Sequence, residues 1–336
     1  MPSDAPLHPR QALFDADDPP PRNLPVCDHY AGVEDRMRKS LALQASLGPV
    51  FDVTLDNEDG APVGGEAEHA LLVAALLASA DNRFGRVGVR VLPVGHPAFE
   101  RVVDTVLASA KRPAYLMLPK PGGIDDLQRA AAAIDAAGGA DVPLHALIET
   151  HGALHEVQAL AAHPRIESLS FGLMDFVSAH RGAIPLSAMG VPGQFEHPLV
   201  VRAKLEISAA CHAHGKVPSH CVVTAFKHAS ALQAAATRAG REFGYTRMWS
   251  IHPSQIEPII EAFAPTTAEV DQAVEILLQA QAAHWAPVRH RDTLHDRASY
   301  RYFWHVLERA HRTSLASGAQ LPAAVRAAFF APEHPA

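Results

Sequence analysis

The sequence predicts an α/β fold, a (β/α)8 barrel of the TIM type, with an N-terminal arm and a C-terminal helical extension. Short apolar segments of strand length alternate with alanine- and leucine-rich segments of helix length. This alternation gives eight strand candidates over about 240 residues, the number that such a barrel needs. A doubly wound open sheet would produce a similar alternation, but no Gly-x-Gly-x-x-Gly motif follows the first candidate strand, which disfavours a dinucleotide-binding sheet.

The predicted strands are apolar along much of their length, as expected for strands that are covered on both faces. In chain order they are Leu24–Asp28, Val50–Leu55, Val87–Leu92, Ala114–Leu118, Leu144–Ile148, Ser168–Gly172, Val217–Val223 and Met248–Ile251.

Apolar residues recur at helical spacing between the strands, for example Val33, Met37 and Leu41 before the second. Residues 176–198, rich in Gly and Pro, predict an extended loop. A capping box from Thr266 to Glu269 predicts a helix through about Ala283, and a last helix is expected near Ala323–Phe330. We therefore expect an extended arm over 1–22, the barrel over 23–265, and a helical lid or oligomer contact over 266–336.

Composition narrows the class of function. With 48% hydrophobic residues, a net charge of −7 and no Lys/Arg block, the chain is predicted to be globular and not to bind nucleic acid. No signal peptide and no apolar run of about 18 residues is seen, so no membrane span is expected. Three scattered cysteines suit a reducing cytoplasm. The expected partners are small molecules and further copies of the chain.

Polar residues stand at the carboxyl end of strand after strand. In a barrel these ends converge on one mouth, where such enzymes work, although α/β proteins also place polar residues at strand ends for no catalytic reason. The residues in question are Asp56, Glu58, Asp59, Arg90, Lys120, Glu149, Asp175, His220 and His252.

Glu149 and Asp175 follow neighbouring strands. Adjacent parallel strands lie about 4.8 Å apart, so the two carboxylates can share one hard cation, Mg²⁺ or alternatively Mn²⁺. The competing interpretations are a helix N-cap for Asp175 and an ion pair at the rim for Glu149.

Arg90 lies in the apolar segment Gly-Val-Arg-Val-Leu, where a guanidinium needs an anion. That anion is either a substrate carboxylate or a structural partner, Glu58 or Asp59. The acidic segment 56–59 could also orient Arg90.

Other candidates are weaker. Lys120 could form a Schiff base, but it lies among Pro119, Pro121 and two glycines beyond its strand, which disfavours that role. His220 is a candidate general acid or base, with packing as the commoner alternative, and the same holds for His228. Cys221 is interpreted as a small core residue rather than a nucleophile.

The strand-end motifs together resemble the HpcH/HpaI aldolase and citrate lyase beta-subunit (CitE-like) family over roughly residues 24–275. The motifs are Leu55-Asp56-Asn57-Glu58-Asp59, Val89-Arg90-Val91, Met117-Leu118-Pro119-Lys120, Leu147-Ile148-Glu149-Thr150, Phe171-Gly172-Leu173-Met174-Asp175 and Ser250-Ile251-His252-Pro253-Ser254-Gln255-Ile256.

This resemblance implies a TIM-type barrel with Mg²⁺ on Glu149 and Asp175, and Arg90 gripping a substrate carboxylate or carbonyl. Such enzymes cleave 3-hydroxy acids or their CoA thioesters through a metal-stabilised enolate. They are commonly trimers or hexamers, with the C-terminal segment closing over a neighbour's site. We assign Glu58, Asp59 and His220 beside Arg90 to catalysis. The residues assigned to substrate binding are Arg90, Asp56, Lys120, Gly172, Leu173 and Met174.

The sequence departs from the family at several positions. The first strand usually carries Arg-Ser-x-Leu followed by Pro-Gly, whereas residues 25–32 contain no arginine. Leu92 replaces a common Asn, Pro121-Gly122 replaces Val-Glu, and His220 and His228 stand where Asp is expected. A divergent subfamily is therefore predicted.

The leading prediction is a Mg²⁺-dependent carbon–carbon lyase that acts on a hydroxy acid or its CoA thioester. A metal-assisted thioester hydrolase or a condensing enzyme would use the same site. A barrel that binds a carboxylate ligand without turnover is the alternative from another class.

Overall fold

The computed structural model describes residues 7–15, 22, 24–191, 193–314 and 321–330. They fall into two compact units. The first unit is Arg22–Phe263, and the second combines the described parts of Met1–Pro21 and Ala264–Ala336.

Unit Arg22–Phe263 is a closed barrel of eight parallel strands in chain order, in which the last strand pairs with the first. The predicted (β/α)8 barrel is therefore confirmed. The strands are β1 (Cys27–Ala31), β2 (Asp52–Asp56), β3 (Val87–Arg90), β4 (Leu116–Leu118), β5 (Leu144–Ile148), β6 (Ile166–Phe171), β7 (Val217–His220) and β8 (Arg247–Ser250).

Helices cover the outside of the barrel with apolar faces at the predicted spacing. In α2, for example, Met37 and Leu41 are fully buried. The barrel helices are α2 (Glu34–Leu47), α3 (Glu66–Ala78), α4 (Phe99–Leu107), α5 (Ile124–Ala136), α6 (His151–His155), α7 (Val157–Ala162), α8 (Leu173–Ser178), α9 (Pro198–Ala213), α10 (Ala229–Glu242) and α11 (Ile256–Phe263).

The segment 176–198, expected to be an extended loop, is partly helical. Its first residues belong to α8, and 3-10 turns occupy Leu186–Met189 and Gly193–Phe195. The glycines and prolines of this segment therefore separate short turns instead of marking one extended run.

The second unit contains helices that pack around Trp304 and Tyr300. The predicted capping box opens its first long helix: the Thr266 side chain accepts from the Glu269 backbone, and Glu269 accepts from the Thr266 backbone. The arm, expected to be extended, contains a short helix because Pro9 stands at its first position and His8 caps it. The elements are α1 (Pro9–Leu13), α12 (Thr267–Ala282), β9 (Val288–His290), β10 (Thr293–His295), α13 (Arg297–Arg312) and α14 (Ala323–Phe330).

A buried charged network crosses the interior of the barrel. Arg247 of β8 lies with Nη1 2.6 Å from Asp52 Oδ2 of β2 and with Nη2 3.1 Å from Asp28 Oδ2 of β1. Asp28 also accepts hydrogen bonds from Thr54 at 2.7 Å and from Tyr115, directly before β4, at 3.0 Å. Since β1 and β4 are not neighbours, the last bond spans the barrel.

We predict that Arg247→Met lowers the free energy of unfolding by about 3–5 kcal/mol, because it leaves Asp28 and Asp52 buried without their shared cation. Arg86→Met is the control: Arg86 also pairs with Asp52, but its side chain is 27% exposed. Chemical denaturation of both variants measures the difference. Equal losses would contradict a special role for Arg247.

Gly88 of β3 lies against the ring of Tyr115. A Cβ atom at Gly88 would stand 2.2 Å from Cε2 of that ring. The ring in turn stacks on His145 with 3.9 Å between centroids, so it has little room to shift. This close approach requires glycine.

Gly88→Ala should therefore lower the free energy of unfolding by about 2 kcal/mol through overpacking. Gly95→Ala is the matched control, since no atom lies within 4 Å of its added Cβ. Thermal melting of both proteins provides the measurement, and a melting temperature for Gly88→Ala equal to that of the control would refute the expectation.

Candidate active site

Charged side chains from the carboxyl ends of successive strands meet at the barrel mouth, linked by ion pairs and hydrogen bonds. This brings together most of the predicted site. We call this set the mouth cluster; it consists of Asp56, Glu58, Asp59, Arg90, Lys120, Glu149 and Asp175.

Arg90 ends β3 and is held by the acidic residues that follow β2. Its Nε and Nη2 donate to Asp56 at 2.6 and 2.5 Å, and Nη1 lies 3.0 Å from Glu58 Oε2. Burial opposes the charge, but Asp56 outweighs it and raises the pKa of the Arg90 guanidinium. Of the two structural partners predicted for Arg90, Glu58 forms an ion pair with it and Asp59 does not, while the main contacts are made by Asp56.

Asp56 was predicted to bind substrate, and its contacts correct that prediction. It is 2% exposed, and both of its oxygens are occupied. Besides Arg90, Oδ1 accepts from the Glu58 N–H at 2.9 Å and Oδ2 accepts from the Gly60 N–H at 2.9 Å. Asp56 therefore orients Arg90 and fixes the turn after β2.

Lys120 connects the two halves of the mouth cluster. Its backbone has a φ of 50°, unusual for a residue with a side chain. In this conformation its N–H donates to Glu149 Oε1 at 2.8 Å, while Nζ donates to Glu58 at 2.5 Å and to Asp59 at 2.8 Å. Nζ also lies 3.7 Å from Asp175 Oδ1.

The same contacts keep the Lys120 amine charged. Burial favours the neutral amine, but hydrogen bonds to Asp59 and Glu58 outweigh burial and raise the pKa of Lys120. A Schiff base requires a neutral amine. The structure therefore agrees with the sequence in disfavouring that chemistry.

Glu149 and Asp175 interact electrostatically, and neither takes the alternative role predicted for it, which was a helix N-cap for Asp175 and a rim ion pair for Glu149. Glu149 is 3% exposed, and within the described ranges none of its contacts is an ion pair. Asp175 lies in the first turn of α8, whose N-cap is Gly172, and its side chain is 41% exposed. Burial, followed by repulsion from Asp175, raises the pKa of Glu149 to about 8.

This pair has the chemistry of an incomplete metal site. A buried carboxylate beside a second one is stabilised by a divalent cation, and oxygen ligands suit a hard one. In the part of the chain that is described, no group of three or more His, Cys, Asp or Glu side chains could hold a metal ion. Two carboxylates would leave the other positions to water and substrate.

Gly172, Leu173 and Met174, which were predicted to bind substrate, form the turn after β6. A Cβ atom at Gly172 would lie 2.2 Å from Glu149 Oε2, so glycine makes room for the carboxylate. The Leu173 side chain is buried, which leaves only its backbone for the predicted substrate contact. Met174 is half-buried and packs against apolar residues inside the mouth.

His220 is not part of the mouth cluster, which corrects its assignment as an acid or base. Its ring is fully buried, stacks on Phe195 at 5.4 Å and meets the edge of Tyr245 at 5.0 Å. Burial, with Lys204 nearby, holds the pKa of His220 well below its usual range. It is a packing residue, Cys221 beside it is fully buried, and His228 is exposed on the loop before α10.

Sequence reasoning missed an aromatic pair inside the mouth. Tyr30 of β1 and Trp249 of β8 stack with 4.5 Å between centroids, and the Arg90 guanidinium lies 5.4 Å from the Tyr30 ring. Both belong to a buried cluster with Met117, Leu147 and Val222. Alternation along a strand could have located Tyr30, because it faces the same side as Asp28.

The profile of the HpcH/HpaI aldolase/citrate lyase family matches residues 39–253, more than half of the chain. The chain belongs to this family. The predictions of the family and of the barrel are confirmed, and the lyases among the relatives support the prediction of a carbon–carbon lyase of the aldolase and citrate lyase type.

Two curated relatives from Cereibacter sphaeroides act on CoA esters, by their names. An L-malyl-CoA/beta-methylmalyl-CoA lyase is 28% identical over 79% of this chain and 87% of its own length. A (3S)-malyl-CoA thioesterase is 30% identical over 70% of this chain and 77% of its own length. The family thus includes both lyases and a hydrolase.

Two solved structures share the fold. A citrate lyase from Burkholderia xenovorans LB400 is 57% identical, covers 94% of this chain and 98% of its own, and superposes with a TM-score of 0.82. CitE from Mycobacterium tuberculosis, in complex with magnesium, acetoacetate and coenzyme A, is 20% identical, with a TM-score of 0.66 and coverages of 86% and 99%. Within the described residues, no helix is both long and apolar enough to cross a membrane.

The buried Glu149 predicts a pH-dependent stability in the presence of a chelator. Because its folded pKa of about 8 lies above the ordinary 4.5, the folded state binds more protons between these values, and stability falls as pH rises through them. Relative to wild type, Glu149→Gln should gain about 4 kcal/mol at pH 8 and little at pH 4.

Denaturant titrations across this pH range measure the effect. Asp175→Asn should give a smaller gain of the same sign, because it removes one of the causes of the raised pKa. An unchanged pH slope in Glu149→Gln would show that Glu149 is ionised throughout.

Proposed function

We propose that this chain is a Mg²⁺-dependent carbon–carbon lyase that cleaves or forms the CoA thioester of a 3-hydroxy acid. The observation that carries the proposal is the Glu149–Asp175 pair at the ends of adjacent strands, with Glu149 buried and its pKa raised to about 8. Such a pair costs stability when ionised, and the cost is relieved by binding a cation.

The residues present fit the ion. Glu149 and Asp175 would hold Mg²⁺, which keeps several water or substrate ligands and commonly uses one or two carboxylates. When bound, the ion supplies positive charge that polarises a substrate oxygen. Magnesium and coenzyme A in the CitE structure support this assignment.

Arg90 would hold the acid end of the substrate. A guanidinium has five N–H groups, so donors remain after its two hydrogen bonds to Asp56 and its ion pair with Glu58. Asp56 and Glu58 fix its plane before substrate arrives, which lowers the cost of ordering it. Lys120 would act alongside it as a fixed positive charge, since Glu58 and Asp59 hold its Nζ in place.

Cleavage breaks the bond between the carbon bearing the hydroxyl and the carbon next to the thioester. The hydroxyl loses its proton and its carbon becomes the carbonyl of a keto acid. The electron pair of the broken bond passes to the carbon next to the thioester, which then takes up a proton to give the acyl-CoA. Negative charge therefore develops near the mouth cluster, where Arg90 and Lys120 would stabilise it. A homo-oligomer, trimeric or hexameric, and a cytoplasmic location are part of the same proposal, the latter supported by three buried, unpaired cysteines.

A thioester hydrolase is the second candidate, favoured by the 30% identical malyl-CoA thioesterase. The two reactions use the same substrate class and give different products. A lyase releases a keto acid and an acyl-CoA, whereas a hydrolase releases the intact hydroxy acid and free CoA.

In the test, malyl-, citramalyl- and citryl-CoA are incubated with the wild-type protein and Mg²⁺. Keto acid and free thiol are measured separately. Glu149→Gln and Asp175→Asn should each weaken Mg²⁺ binding by about 100-fold and abolish turnover, because each removes a charged ligand. Asp104→Asn, on the exposed face of α4, is the control.

Isothermal calorimetry measures the Mg²⁺ affinity of the same variants. If Mg²⁺ binds both variants as tightly as wild type, the metal site is wrong. If free thiol is produced without keto acid, the hydrolase replaces the lyase.

A further inference from the structure

Two buried hydrogen-bond donors in the barrel mouth have no acceptor. The Tyr30 hydroxyl and the Trp249 indole N–H lie in residues that are 9% and 8% exposed, and neither atom has a hydrogen-bond partner among the described residues. Buried polar groups are nearly always satisfied, and an unmet donor costs free energy. Their position therefore points to a ligand acceptor.

The two donors belong to residues that lie beside the mouth cluster. Their rings stack on each other at 4.5 Å, and the Tyr30 ring faces the Arg90 guanidinium at 5.4 Å. Met174, which directly precedes Asp175, packs against the buried cluster to which both rings belong. A molecule held by Arg90 beside Asp175 would therefore lie near both donors.

Apolar side chains adjoin the pair. Tyr30 and Trp249 form one buried cluster with Met117, Leu147 and Val222. An apolar cluster of this kind accepts an alkyl group and disfavours a second charged one.

The charge of the mouth cluster acts in the same direction. It contains five carboxylates and two cations, and each cation already contacts at least two of the carboxylates. The ionised cluster therefore remains negative even after a divalent ion binds. A second carboxylate on the substrate would meet repulsion and no available positive partner.

We propose that Tyr30 Oη and Trp249 Nε1 donate to the carboxylate of a 2-oxo monocarboxylic acid, whose hydrogen or short alkyl group lies on the apolar cluster. The pair would make the site select acids such as glyoxylate, pyruvate or 2-oxobutyrate over oxaloacetate. This inference rests on the proposed lyase function and specifies which keto acid that function produces or consumes.

The test is calorimetry of the Mg²⁺-saturated full-length protein with glyoxylate, pyruvate, 2-oxobutyrate and freshly prepared oxaloacetate. Wild type should bind at least one monocarboxylic acid about tenfold more tightly than oxaloacetate. Tyr30→Phe and Trp249→Phe keep an aromatic ring and remove one donor each. Each substitution should raise the dissociation constant of that monocarboxylic acid about tenfold, which is the typical effect of one lost hydrogen bond to a charged group.

Tyr245→Phe is the matched control, because its hydroxyl is also buried but donates to the Lys204 carbonyl away from the mouth. Mg²⁺ affinity and melting temperature are measured for every variant to separate loss of donors from loss of fold. The KM for the keto acid in the condensation direction should rise in step with the dissociation constant.

Two outcomes overturn the inference. In the first, oxaloacetate binds wild type as tightly as the monocarboxylic acids do. In the second, both donor variants bind the keto acids as Tyr245→Phe does, which would indicate that bound solvent alone satisfies the two donors. In these cases the lyase proposal stands, provided that Glu149→Gln still weakens Mg²⁺ binding by about 100-fold. If wild type binds no keto acid at all, both proposals fail.

Discussion

A single buried guanidinium joins the last strand of the barrel to the first two. Arg247 on β8 contacts Asp28 on β1 and Asp52 on β2, so the same side chain spans the seam where the barrel closes. Side chains alternate along a strand, and each strand anchored here presents its next inward residues toward the mouth. Those residues are Tyr30 after Asp28, Asp56 after Thr54, and Trp249 after Arg247. The network therefore fixes which residues of these three strands point inward at the mouth.

Above this network, the mouth cluster holds an excess of negative charge that its own cations do not neutralise. The left-handed backbone of Lys120 lets one residue donate its N–H to Glu149 and its amine to Glu58 and Asp59. The strained backbone of Lys120 thus allows this residue to hold carboxylates that follow three strands, β2, β5 and β6. The lack of a neutralising cation is felt most at Glu149, whose pKa is raised by burial and by repulsion from Asp175.

The sequence predicted the barrel and most of the mouth because those features depend on local patterns. Apolar runs marked all eight strands, and the residues after them, such as Glu149 and Lys120, were visible as polar breaks. The first strand was placed three residues early, since Asp28 and His29 interrupt its apolar pattern. Its interior partner Arg247 could not be found from sequence, because the pairing joins residues at opposite ends of the barrel segment. The role predicted for His220 differs from its observed position for a related reason, because strand position alone does not reveal which face a side chain occupies.

The altered first strand is the feature that most separates this chain from the pattern of its family. The family's first strand usually carries an arginine, and residues 25–32 of this chain contain none. The same strand places Asp28 in the interior network and the neutral Tyr30 at the mouth. Tyr30 cannot supply the lost charge, but it packs against Arg90, the arginine of the mouth cluster. Removing a cation while five carboxylates remain makes the mouth more negative, so a bound ion must contribute a larger share of the charge that any anionic substrate needs. The absence of an arginine from the first strand therefore increases the need for a cation bound by Glu149 and Asp175.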